Sequence, residues 1–417
     1  MRLRLAPVRL STANLQAVYP GMASAGLGAE GVYIGQDRAG TAWCFDPWAL
    51  YEHGVLTNPN VLVAGQVGSA KSSLVKTFLW RQRALGRRGW VIDPKGEYGK
   101  LAAACGTRPL RLGGGSPLRL NPLDRGPVSH SDDADIRRTR VGLVAALAAA
   151  TIERSLTPDE TTACELAVRA AERRPTITLP EVVNALLRPD DTDASDVMMT
   201  AADVAAAGRH VALALRRLVH GDLAGILDGP TSREIDVLSD LVVLDLSALL
   251  DTVAEPLVML CAHSWLQQAV TARPEHLIVV LDEAWRVLRH LHVARWLRAS
   301  WKLSRAWGVC NIAVIHRLSD LAAAGDARSE QRELARGLLA DTETRVIYRQ
   351  PEDVRDETRD ILNLTPAEAA LLPQLPRAHA LWHVGRHRAV VAHRVTPREL
   401  QIADTDERMG AGAHGAR

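Results

Sequence analysis

A chain of 417 residues, 47% apolar and 24% charged, is long enough for a large α/β core with room for an insertion. Its net charge of +2 excludes a global field that would draw in nucleic acid or an anionic membrane. Five scattered cysteines (Cys44, Cys105, Cys164, Cys261, Cys310) without a CxxC pair exclude a zinc ribbon or a disulfide frame and suit a reducing compartment.

In chain order, residues 1–60 read as a short β-rich lead-in. Gly31 to Gly35 and Thr41 to Phe45 flank the turn Asp37-Arg38-Ala39-Gly40, a hairpin pattern. Residues 61–124 alternate strand, helix, strand, and the second strand, Trp90-Val91-Ile92, ends at Asp93. Residues 125–235 are rich in Ala, Arg and Leu with helical periodicity, so an all-α insertion is expected there. Within it Thr157-Pro158-Asp159-Glu160 is a capping box with proline at the first helical position.

Strands return over 236–403, at Leu241–Asp245, Leu277–Asp282, Asn311–Ile315 and Thr344–Tyr348. Apolar runs without polar alternation suit parallel strands covered on both faces. Ala380 to Val384 and Ala389 to Ala392 flank Gly385-Arg386-His387, a second hairpin pattern. Capping boxes recur at Thr365 to Glu368 and Thr396 to Glu399. The composition of 404–417 predicts a disordered tail. The longest apolar run, Val141 to Ala150, is too short to cross a bilayer, and no signal peptide precedes it. A cytoplasmic protein is expected, one that reaches the membrane's cytoplasmic face through a partner.

The chemistry-bearing stretch is Gly65-Gln66-Val67-Gly68-Ser69-Ala70-Lys71-Ser72-Ser73. It follows the strand Asn60 to Ala64 and opens a helix, the context of a phosphate-binding P-loop. Backbone N–H groups at a helix N-terminus point at anionic oxygens. Lys71 adds a point charge on the β- and γ-phosphates of ATP, and the Ser72 hydroxyl ligates Mg²⁺. Ala70 stands where glycine is usual, which requires its backbone torsions to lie in a region open to L-residues.

A second motif, Val279-Val280-Leu281-Asp282-Glu283, places two carboxylates at a strand's C-terminal end, where open α/β sheets bind ligands. Asp282 is the expected Mg²⁺ residue and Glu283 the group that orients or deprotonates water. His316, at the tip of the next strand, is either a γ-phosphate sensor or an ordinary histidine capping a strand end. Arg305 is either an arginine finger, contributing about 10³–10⁵ in rate or roughly 4–7 kcal/mol of barrier, or a solvated helix arginine. The basic, tryptophan-rich segment 285–307 reads as an amphipathic helix in preference to a nucleic-acid channel.

Together these motifs resemble the conjugative-transfer (type IV secretion) ATPases of the HerA–FtsK superfamily. The ordered matches are Gly65 to Ser73, Ile92-Asp93-Pro94-Lys95-Gly96-Glu97-Tyr98, Leu120 to Leu123, Arg154 to Glu160, Leu281 to Trp285 and Arg305 through Leu321. The resemblance implies a RecA-like core with a mostly parallel sheet and an inserted all-α domain. It also implies a homohexameric ring with active sites between subunits and ATP hydrolysis that drives DNA or protein transfer. Arg305 would then act in trans, and Asp93 would support the metal or the water. His316 stands where relatives often have Gln. The chain begins just before the ATPase core, so docking on a membrane channel is expected to fall to another subunit. Two other functions fit the same motifs: a cytosolic HerA-like DNA translocase, and a nucleotide-gated scaffold without turnover.

Overall fold

The computed structural model of the chain describes residues 26–124, 133–221, 223–236, 239–252, 254–270, 276–288, 290–303, 308–316, 337 and 341–404. Its strands are β1 (Val32–Asp37), β2 (Ala42–Phe45), β3 (Val61–Ala64), β4 (Arg88–Asp93), β5 (Leu110–Arg111), β6 (Leu241–Asp245), β7 (Leu277–Leu281), β8 (Val309–Ile315), β9 (Thr344–Ile347), β10 (His379–Val384) and β11 (His387–His393). Its α-helices are α1 (Pro47–Glu52), α2 (Lys71–Gln82), α3 (Gly99–Ala104), α4 (Asp133–Ile152), α5 (Pro158–Ala171), α6 (Leu179–Leu187), α7 (Asp191–Ser195), α8 (Ala201–His220), α9 (Glu255–Val270), α10 (Trp285–Leu288), α11 (Leu291–Leu303), α12 (Arg355–Leu362), α13 (Pro366–Leu371) and α14 (Pro397–Ala403).

All these strands lie in one sheet, in the order β2-β1-β11-β10-β9-β3-β8-β7-β4-β6-β5. From β9 to β5 every pairing is parallel. From β2 to β9 every pairing is antiparallel. The parallel strands read as unbroken apolar runs because both faces are covered. Leu62, Trp90, Ile92, Val279 and Leu281 enter the core on one face. Val61, Val63, Val91, Ile278 and Val280, one residue out of phase, enter the core on the other. The lead-in hairpin extends this same sheet, because β1 pairs with β11 in register Gly35 to His393.

Among the described residues no strand falls between Arg111 and Leu241. The helices that fill this interval do not form a core of their own. Leu143, Val168, Leu179 and Leu215 are buried in the same cluster as Trp90, Leu244 and Leu281. The capping boxes at α5, α13 and α14 all form, each with a Thr side chain accepting from the backbone N–H of a Glu three residues on. A further box at α8 joins Thr200 to Asp203, with Asp in the place where Glu or Gln is the usual sequence signal. Cys164, Cys261 and Cys310 are buried, whereas Cys44 and Cys105 are half-buried, and all of them are free thiols. The expected disordered tail lies, after Asp404, outside the described residues. No helix among the described residues is long and apolar enough to cross a membrane.

Candidate nucleotide-binding site

Strands β3, β8, β7 and β4 are neighbours and parallel, so their C-terminal tips open side by side onto one edge of the sheet. The tips carry, in that order, the P-loop, His316, the Asp282-Glu283 pair and the Asp93-Pro94-Lys95 turn. Residues scattered along the sequence thus become adjacent, at about 5 Å per strand.

The P-loop is pinned at its base. Gly65 N–H donates to His316 O at 3.2 Å and Gln66 N–H donates to Arg349 O at 3.0 Å. Gly65 is required by space: a Cβ there would lie 2.4 Å from Tyr348 Cβ. Gly68 is required by torsion, with φ +78°. Ser69 Oγ donates to Gln66 O at 2.7 Å and closes the turn. Helix α2 then starts on Ala70, whose carbonyl takes the N–H of Leu74 at 3.1 Å. The N–H groups of the first turn have no carbonyl within the helix to reach.

The expectation that Ala70 adopts torsions open to L-residues is not met. It sits at φ 84°, ψ 23°, in the left-handed region that favours glycine. A methyl-bearing residue there costs about 1–2 kcal/mol. The loop closes regardless, because bonds on either side of Ala70 hold it.

The charged groups of the edge form one connected chain. Lys71 is buried; its Nζ donates to Gly65 O and, at 3.1 Å, to Gln66 O, and lies 3.2 Å from His316 Nδ1. His316 Nε2 lies 2.7 Å from Glu283 Oε1. A lysine ammonium can only donate and a carboxylate can only accept. These neighbours therefore assign the imidazole tautomer: Nδ1 accepts from Lys71 and Nε2–H donates to Glu283. Lys95 Nζ sits 2.5 Å from the same Oε1, and Trp285 Nε1–H donates to Oε2 at 2.5 Å. Glu283 itself has φ 53°, a strained torsion of the kind found at functional sites.

Burial and charge set the titration of these groups. Burial lowers Lys71 to about 8, against the upward pull of Asp282 and Glu283. Burial, reinforced by Glu283, pushes Asp282 up to about 7. Burial would also raise Glu283, but the bonds from His316 and Lys95 outweigh it and hold that carboxyl at about 2. Asp93, fully buried, is raised to about 6 by burial, against the backbone N–H bonds it accepts. Its Oδ2 takes Tyr98 N–H at 3.0 Å and its Oδ1 takes Lys95 N–H at 3.3 Å, so Asp93 shapes the turn that presents Lys95.

The edge thus brings together Gly65 to Ser73, Asp282, Glu283 and His316, with Asp93 beneath. Arg305 lies outside the described residues. The tryptophan-rich segment, expected as one amphipathic helix, forms two, α10 and α11; Trp301 is buried, but Arg286 is not solvated and pairs with Asp251 and with buried Glu255 at 2.8 and 2.9 Å. Lys95 and Trp285 carry contacts that no local pattern assigned to them. The approach of α14 to the site was also unforeseen: Leu400, Ala403 and Asp404 line the cleft.

That cleft opens to solvent and is lined by Gly68, Lys71, Ser72, Ser73, Lys95, Asp282, Glu283 and His316 among others. Two lysines facing two carboxylates fit a magnesium nucleotide, with cations for phosphate oxygens and acids for the metal side. Among the described residues no three His, Cys, Asp or Glu side chains converge on a metal by themselves. Mg²⁺ held by one or two protein groups and phosphate oxygens needs no such cluster.

No protein-family profile and no curated protein sequence matches the chain. Among solved structures, VirB4 of Thermoanaerobacter pseudethanolicus superposes with TM-score 0.71 at 22% identity, covering 91% of this chain and 100% of that one. The chain has the VirB4 fold. The plasmid coupling protein TrwB, in complex with ADP and Mg²⁺, matches with TM-score 0.53 at 16% identity over 95% of this chain and 97% of its own. TrwB with the non-hydrolysable ATP analogue ADPNP gives the same score and identity over 93% of each chain. At these identities the likenesses show the fold, a mostly parallel sheet covered by helices.

Proposed function

We propose that this chain is a Mg²⁺-dependent ATPase that works as a motor for DNA or protein transfer in a conjugation or type IV secretion-like machine. The observation that carries the reading is the convergence of Lys71, His316, Asp282 and Glu283 at three adjacent strand tips. The VirB4 fold and the nucleotide-bound TrwB structures support it.

In this reading the P-loop N–H groups and Lys71 bind the phosphates. Ser72 and Asp282 would hold the metal, which would supply charge neutralisation for the phosphates. Glu283 orients the attacking water, and its carboxyl held near 2 keeps it a hydrogen-bond acceptor at neutral pH. His316 links Lys71 to Glu283, so phosphate binding is felt at the carboxylate through a single ring. Asp93 keeps the Lys95 turn in place. Arg305 is assigned the trans finger of a homohexameric ring, and the ring works at the cytoplasmic face of the membrane through another subunit.

The test is steady-state ATP hydrolysis by the purified protein, with and without single- and double-stranded DNA, beside a mass measurement. Lys71→Ala and Glu283→Gln should each abolish turnover while the thermal melt persists. Undiminished hydrolysis in both variants overturns the assignment. Hydrolysis stimulated by DNA with no membrane partner would favour the free translocase, and nucleotide binding without turnover in an assembled ring would favour the scaffold.

A further inference from the structure

One cation in the cleft has no part in the scheme above. Lys95 stands on the turn after β4, at the far side of the cleft from the P-loop, with β8 and β7 between. Its Nζ is 2.5 Å from Glu283 Oε1 and 3.4 Å from His316 Nε2. The second contact joins two donors, so the carboxylate is its partner. Glu283 Oε1 is therefore filled twice, by Lys95 and by His316, and Oε2 is filled by Trp285. A carboxylate has about four lone-pair directions. In this arrangement little of Glu283 is left over to hold a water.

The two partners differ in freedom. The Glu283 side chain is 4% exposed, whereas that of Lys95 is 33% exposed and lines the cleft. The lysine borders the open cleft, whereas the glutamate is also held by His316 and Trp285. Lys71 reaches the P-loop carbonyls and so sits where any bound phosphate chain is gripped. Lys95 sits beside Glu283, on the farthest of the four strand tips from the P-loop.

We propose that Lys95 is a positioning residue that latches Glu283 through this ion pair and transfers to the terminal phosphate of a nucleoside triphosphate, freeing Glu283 Oε1 for water. This rests on the ATPase reading above. A triphosphate end carries more negative charge than one carboxylate and competes for the ammonium; a diphosphate falls short of it and leaves the latch closed. The residue thus makes the site distinguish the two nucleotides.

The experiment measures equilibrium binding of ADP and of a non-hydrolysable ATP analogue, each with Mg²⁺, to the full chain and to Lys95→Met and Lys95→Arg. A charged hydrogen bond of ordinary strength predicts that Lys95→Met weakens the analogue about tenfold. ADP should change by less than about twofold, and Lys95→Arg, which keeps the charge, should retain most of the preference. A residue with a merely structural role would shift both nucleotides alike. If the wild type binds both nucleotides and Lys95→Met shifts them equally, or shifts neither, the latch is refuted while the ATPase reading stands. If the wild type binds neither, the ATPase reading falls and takes the latch with it.

Discussion

Ala70 offers a quantitative test of the P-loop geometry. Replacing it with glycine removes a methyl group from a residue at φ 84° and should recover about 1–2 kcal/mol of torsional strain. The glycine also makes the unfolded chain more flexible, which costs about 0.5–1 kcal/mol. The net expectation is a stabilisation of about 0–1.5 kcal/mol, the difference of those two ranges. The control is Ala206→Gly, an exposed site inside α8 with ordinary helical torsions, where glycine should cost about 1 kcal/mol. Urea denaturation followed by circular dichroism should therefore separate the two variants by about 1–2.5 kcal/mol, with Ala70→Gly the more stable. If Ala70→Gly destabilises the protein as much as Ala206→Gly, residue 70 has an unstrained torsion and the loop geometry given above is wrong.

Gly65→Ala should weaken both the fold and nucleotide binding, because the new Cβ meets Tyr348 Cβ at 2.4 Å and neither belongs to a flexible end. Overpacking of this kind costs typically about 1–3 kcal/mol, readable as a lowered thermal midpoint together with a raised Kd for ADP. At the far end of the chain, Glu399 is held at about 2 by Arg81 and the Thr396 cap, which outweigh its burial. A depressed carboxyl stabilises the fold above its unfolded value of about 4.3 and loses that contribution as pH falls toward 2. Glu399→Gln should therefore cost about 1–2 kcal/mol at pH 7, after allowance for solvent screening, and almost nothing at pH 2; an equal cost at both refutes the pairing. Buried His263 and His393 are lowered to about 4 by desolvation, so between pH 6.5 and 4 the unfolded chain binds more protons and stability should fall with pH. A flat melting midpoint across that window would contradict their burial.

What the sequence disclosed was local. The strand-loop-helix at Gly65 to Ser73 and the Asp282-Glu283 strand end are patterns of a few residues, and so are the three capping boxes written Thr-Pro-x-Glu. Each is governed by contacts within one turn or one strand, and each forms. His316 was placed at a strand tip by the apolar run before it, but its two partners were hidden because they sit on other strands. Lys95 illustrates the limit. Its motif was visible, yet its bond to Glu283 depends on β4 lying next to β7, a lateral order that periodicity along one strand does not carry. Ala70 shows the converse: the residue type suggested an L-compatible torsion, and the surrounding turn imposed a glycine-like one. The route by which the lead-in hairpin joins β11 was likewise invisible, since nothing in residues 32–37 names a partner several hundred positions away.

That junction limits how the protein can be divided. Val32–Asp37 shields the outer side of His387–His393, and Arg81 Nη1 reaches across to Tyr33 O at 2.5 Å. A fragment trimmed to start at Asn60 would keep every residue assigned to the phosphates. It would also bare the edge of β11 at Val391, Ala392 and His393, a template for self-association. Precipitation of such a fragment would then report a torn seam in the sheet and not the loss of a residue assigned to the phosphates.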